Sequence, residues 1–125
     1  MRVTRTVRFV SADFKKAGKF TDPSQCLLAQ ALKRTFPEIF QFWTGNLLKE
    51  VHYTKSQMSM GLPQSIGTVP KSVVDYVREA YSVYGNDKPP IMPEPFHSSE
   101  WKVTLEVGLF SYLKHYFTSR RRNKS

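Results

Sequence analysis

The side chains able to do covalent or metal chemistry are few in this sequence and stand apart. There is one cysteine, Cys26, and there are three histidines, His52, His97 and His115. A nucleophilic thiol needs a lowered pKa and a base beside it. Cys26 falls early in a helical pattern, where the helix dipole favours the thiolate, but it adjoins Leu27 and Leu28 and has no histidine near it in sequence. Those neighbours make it a small buried hydrophobe. The histidines belong to three different elements, and none has a Cys, His or carboxylate at metal-ligand spacing. His97, beside Phe96 in a loop, is the most exposed of them by pattern. The six glycines are scattered, so no phosphate-cradling loop is present. Glu94, Glu100 and Glu106 recur every six residues, a spacing that pairs no two carboxylates for acid–base work. The sequence therefore predicts no catalytic residue, no metal ligand and no cofactor, and it disfavours an enzyme.

Charge is the stronger signal. The chain of 125 residues carries a formal charge of +9, unevenly spread. Residues 1–55 hold ten Lys/Arg against four Asp/Glu, residues 56–107 four against six, and residues 108–125 five against none. Two basic segments thus flank a mildly acidic middle. Such a field favours phosphate backbones and acidic protein surfaces. The candidate phosphate-binding residues are Arg2, Arg5, Arg8, Lys15, Lys16, Lys19, Arg120, Arg121 and Arg122. Flexible lysines on a turn and arginines in a basic tail lack the fixed geometry of base readout, so phosphate contacts are expected rather than base-edge contacts. Phe36, Phe40, Phe42, Trp43 and Tyr53 cluster in sequence. On a sheet, aromatics among basic residues can stack bases of a single strand; the competing assignment is the core.

The elements that position these residues follow from periodicity. Residues 2–10 alternate, with Val3, Val7 and Phe9 sharing one face with Arg5, while Arg2, Thr4, Thr6 and Arg8 make a wet, basic face. Ser11 opens a short helical turn through Ala17, stopped by Gly18. Asp22-Pro23 reads as a helix start, and Leu27, Leu28, Ala31, Leu32 and Thr35 form its apolar stripe. Lys33 and Arg34 sit where the helix dipole favours cations. Ile39–Trp43, the turn Thr44-Gly45-Asn46 and Leu47–Thr54 predict a β-hairpin. Ser56–Gly67 predicts a short strand or a loop. Pro70 opens a second helix to about Val83, with Gly85 as its stop. Residues 86–95 hold four of the eight prolines and predict an extended loop. Trp101, Val103, Leu105 and Val107 mark a strand, and Leu109, Phe110, Leu113, Tyr116 and Phe117 a last helical stripe. The expected core is Leu28, Leu32, Val73, Val77, Trp101, Val103, Leu105 and Phe110.

These elements predict a small single α+β domain over residues 1–119, a mostly antiparallel sheet with about three helices packed on it, and a basic flexible tail over residues 120–125. A lone cysteine excludes an internal disulfide framework and favours a reducing compartment. No stretch approaches the roughly 18 continuous apolar residues of a membrane span, and the first residues lack the apolar block of a secretory signal. A cytoplasmic protein with no membrane partner is expected, either bacterial or made inside a host cell.

The run Cys26-Leu27-Leu28-Ala29-Gln30-Ala31-Leu32, after Gly18-Lys19, resembles a helix motif of small phage-encoded proteins. In that pattern Pro usually stands where this sequence has Leu27. Val69-Pro70, Gly85-Asn86-Asp87 and Pro95-Phe96 resemble their later helix start, turn and strand start. The resemblance implies a phage or mobile-element protein and carries no activity and no functional residue with it. The expected function is a non-enzymatic accessory protein that binds nucleic acid through phosphates. The alternative is an interaction module that binds and inhibits an acidic host protein, for example one of defence.

Overall fold

The computed structural model describes residues 1–45, 47–55, 63–82 and 87–123, with side chains through residue 117. It is a small α+β domain whose described strands pair antiparallel throughout. Among the described residues the strands form two sheets, rather than one, and there are four helices.

The first sheet pairs β1 (Arg2–Arg8) with β5 (Glu100–Glu106). The alternation of both strands decides their faces. Val7, Val103 and Leu105 are buried, while Thr4 and Thr104 join hydroxyls across the outer face at 2.6 Å. The register sets Arg2 opposite Glu106 and Arg8 opposite Glu100, so opposite charges meet across the strands. Trp101, expected in the core, is half-buried and packs against its edge.

Between these strands in sequence lie α1 (Ser11–Lys16), α2 (Leu27–Thr35), β2 (Gln41–Gly45), β3 (Glu50–Thr54), β4 (Gln64–Thr68) and α3 (Lys71–Ser82). Val10, not Ser11, is the N-cap of α1, and the Val10 N–H donates to the Asp13 carboxylate at 3.0 Å. The expected start of α2 at Asp22 moves to Leu27. Asp22 instead builds a tight turn: its side chain accepts the Ser24 N–H, and its carbonyl accepts those of Gln25 and Cys26. Cys26 becomes the N-cap without a capping side-chain bond. A residue distant in sequence fills that role, because the Tyr81 hydroxyl accepts the Leu27 N–H at 2.9 Å and donates to the Gly18 carbonyl at 2.8 Å.

The hairpin is present, with Phe42 opposite Tyr53 and Trp43 opposite His52. Its second strand starts at Glu50, not Leu47. Leu47 and Leu48 hold φ of +54° and +73°, a left-handed pair that turns the chain before it can extend. β4 supplies the short strand expected within 56–67; residues 56–62 lie outside the described residues. The spacing of Val73, Val74, Val77, Ala80, Tyr81 and Tyr84 predicts an apolar stripe on α3; the first five are buried, and Tyr84 lies outside the described residues. Val83, its expected last residue, and Gly85, its expected stop, lie outside the described residues, as does Asn86. The proline-rich segment is tied to α3 by the Ile91 N–H, which donates to the Ala80 carbonyl at 2.8 Å.

One apolar cluster joins both sheets with α1, α2 and α3. The Glu106 N–H donates to the Tyr53 hydroxyl at 3.3 Å, stitching the two sheets together. The last helix, α4 (Leu109–Asn123), carries the backbone of Arg120, Arg121 and Arg122 in helical form, where a flexible tail was expected. Phe110 is not in the core as expected; it is 87 % exposed. Tyr112 is the side chain of α4 that packs on the cluster, and residues two apart on a helix point about 200° from one another. Among the described residues, no helix is long and apolar enough to cross a membrane.

Candidate nucleic-acid interface

The structure sorts the basic residues into paired and unpaired sets. Arg5 belongs to the paired set. Its guanidinium makes a bidentate bond to Glu38, at 2.7 and 2.5 Å, and also donates to the Thr35 carbonyl. Burial pushes the Glu38 carboxyl upward, but the Arg5 bonds outweigh it and hold the group below its ordinary value. Arg8 forms a surface ion pair with Glu100 at 3.5 Å, and Arg2 faces Glu106 across the sheet. The outer face of β1 is therefore partly neutralised by acids on β5, which a reading of β1 alone cannot see.

Lys15, Lys16 and Lys19 are exposed, and among the described residues their side chains make no hydrogen bond or ion pair. They project from α1 and the turn after it, as expected. The side chains of Arg120, Arg121 and Arg122 lie outside the described residues.

Two residues not singled out as binding residues from sequence sit at the centre of this surface. Lys33 and Arg34, on the last turn of α2, line a shallow groove of about 230 Å³ against α1 together with Lys16. Lys33 also borders a second groove, of about 190 Å³, beside Phe40 and Gln41. Arg34 borders a third, of about 360 Å³, whose walls include Arg5 and Glu38 on one side and His115 and Tyr116 of α4 on the other. Three depressions thus meet at the carboxyl end of α2. Arg34 is held there by Asp13, whose carboxylate accepts its Nε at 3.0 Å, and by the Arg8 carbonyl. Lys33 donates to the Ile39 and Phe40 carbonyls, and burial lowers its pKa. The only sequence signal for this pair was cation placement at a helix end, which is common to most helices.

The aromatic residues divide as well. Phe36, Phe42 and Tyr53 are buried, so the core assignment holds for them. Trp43 stays half-exposed on the outer hairpin face, stacked on His52 with ring centroids 6.3 Å apart. Phe40 of the same cluster is exposed, as are Phe96 in the proline-rich segment and, on α4, Phe110, Tyr116 at 45 % and Phe117 at 56 % exposure.

The remaining chemistry-bearing groups stay apart. Cys26 is fully buried, with its sulfur 3.6 Å from the Thr44 hydroxyl, and burial pushes its thiol pKa up. This is the reverse of nucleophile activation. His52 is 3.7 Å from Glu50, and the His97 carbonyl accepts the Tyr76 hydroxyl at 2.6 Å. Among the described residues, no group of three His, Cys, Asp or Glu side chains is placed to hold a metal ion. No protein-family model matches the chain, and no curated protein or solved structure matches it either.

Proposed function

We propose that this protein binds nucleic acid through phosphate contacts, without catalysing a reaction on it. One observation carries the reading: Lys16, Lys33 and Arg34 line one groove, Arg34 also borders a second groove walled by α4, and residues 107–125 contain no acidic side chain. Cations that meet phosphates give affinity by counterion release and demand little of sequence. Lys15 and Lys19 add to these cations on α1 and the turn that follows. Arg2, Arg8 and Arg34 contribute less than the lysines, since the first two stand opposite glutamates and the third is paired with Asp13.

The test is binding to a labelled duplex across a salt series. The expected result is weak binding, steep in salt and nearly indifferent to sequence. Absence of binding at low ionic strength would remove the reading. A second reading, an interaction module for an acidic host protein, is favoured by the apolar residues that α4 exposes, Leu109, Phe110, Leu113 and Phe117 among them. Recovery of one stoichiometric partner from host lysate, resistant to nuclease, supports that alternative.

A further inference from the structure

Between α3 and the proline-rich segment lies a cavity of about 290 Å³ that no Lys or Arg lines among the described residues. Tyr76, Glu79 and Ala80 stand at i, i+3 and i+4 on α3, so they share one face of the helix. Ile91, Pro93, Glu94 and His97 form the opposite wall. Two hydrogen bonds fix that wall to the helix. The Ile91 N–H donates to the Ala80 carbonyl at 2.8 Å, and the Tyr76 hydroxyl donates to the His97 carbonyl at 2.6 Å. With an anchor at each end of the lining segment, the cavity is shaped before a ligand arrives. Its carboxylates set it apart from the rest of the molecule. Of the ten acidic residues, Asp75, Glu79, Asp87 and Glu94 alone make no side-chain hydrogen bond or ion pair among the described residues. Asp13, Glu38, Glu100 and Glu106 are each paired with a cation, Glu50 stands beside His52, and Asp22 accepts the Ser24 N–H. Two of the four without a partner, Glu79 and Glu94, line this one cavity.

We propose that this cavity binds a small organic cation, an ammonium group held by Glu79 and Glu94 on an apolar body that packs against Ala80, Ile91 and Pro93. The proposal rests on neither functional reading above. A carboxylate without a partner accepts charge-assisted hydrogen bonds from an ammonium, and apolar walls with a few placed polar groups are what a small molecule requires. The volume is that of about ten waters, the scale of one small amine. Phosphate and carboxylate ligands meet two negative charges here and are repelled. A bare metal ion lacks its ligands, since among the described residues no group of three His, Cys, Asp or Glu is placed to hold one. The formal charge of +9 opposes a cation at long range. The attraction is therefore local, and salt limits its reach to about 8 Å.

The experiment titrates the full chain with phenethylamine at neutral pH and follows the backbone amide shifts of Ala80, Ile91 and His97 by NMR. Phenethyl alcohol and hydrocinnamate keep the ring and change the charge. The amine should saturate these shifts and bind about tenfold more tightly than the alcohol, and the carboxylate should not saturate them. Glu79→Gln and Glu94→Gln should each weaken the amine about two- to fivefold, and together about tenfold, because exposed ion contacts are weak singly. Both side chains are exposed, so the fold tolerates the changes; a thermal melt confirms it. Glu50→Gln, at an exposed acid of the hairpin, should alter the affinity less than about twofold. No saturable shift with the amine overturns the proposal. So does an alcohol that binds as tightly as the amine, or a loss in Glu50→Gln equal to that in Glu79→Gln. Acetyl-lysine amide with a free side-chain amine presents the same ammonium as a protein would. If it binds more tightly than phenethylamine, the cavity belongs to a partner's lysine and the small-molecule site is overturned.

Discussion

Glu38 is almost inaccessible to solvent, and it keeps its charge there because two nitrogens of Arg5 reach it. Its folded pKa lies below the ordinary 4.5, so the pair stabilises the fold at pH values above the unfolded pKa, and that contribution is lost as pH falls through the lowered folded value. Glu38→Gln is therefore expected to cost about 1.5–3 kcal/mol at neutral pH and to lose less stability than wild type on acidification from pH 5. Urea titrations at several pH values measure this; equal acid sensitivity in the two proteins would show that another group is responsible. Leu47 offers the opposite sign. It is 63 % exposed and left-handed, so its side chain adds backbone strain and little packing. Leu47→Gly should raise stability by about 0.5–1 kcal/mol, after the entropy of the unfolded glycine is set against the relieved strain. The same change at Leu48, which is 2 % exposed and equally left-handed, should destabilise because it empties a core position. A gain at both sites would mean that the hairpin turn is not built as described.

At the scale of elements, α2 is the most legible piece. Leu27, Leu28, Ala31 and Leu32 are all buried, as their spacing requires, Thr35 is half-buried, and Lys33 and Arg34 are exposed. Leu32→Ala is expected to cost roughly 2–5 kcal/mol in chemical denaturation. A loss below about 0.5 kcal/mol would place the stripe on the wrong side of the helix. The start of α2 was less legible because Tyr81, more than fifty residues away, supplies the contact that local caps usually provide. The apolar pattern of α4 was visible, but its orientation was not. Tyr112 and Phe110 are both aromatic, and only the surface on which the helix lands decides which of them is buried.

At the scale of the whole molecule, the basic residues divide into those that face or pair with acids and those that do not. Arg2 and Arg8 of β1 face glutamates of β5 and Arg5 is paired with Glu38, whereas the side chains of Lys15, Lys16 and Lys19 make no ion pair among the described residues, and Lys33 and Arg34, the latter paired with Asp13, line grooves at the end of α2. Replacing Arg120, Arg121 and Arg122 with Gln removes three charges while keeping good helix formers. If each contacts a phosphate, the log–log salt slope of duplex binding should flatten by up to about 3. Replacing Arg2 and Arg8 should change the slope less. The salt series that tests the proposed function measures both, and an unchanged slope in the first variant would exclude residues 120–122 from the phosphate contacts.

Some properties followed from the sequence by itself. The α+β class, the hairpin, the stripes of α2 and α3 and the buried setting of Cys26 were all legible there. Each depends on local period or on nearest neighbours, and a period of two or of 3.6 residues is a property of the chain before it folds. The pairing of Arg5 with Glu38, the glutamates opposite Arg2 and Arg8, and the meeting of three grooves at Lys33 and Arg34 were decided only by tertiary structure. These arrangements join residues that are distant in the chain. The Coulomb interactions and groove walls involved depend on separation in space, and no spacing in sequence encodes them.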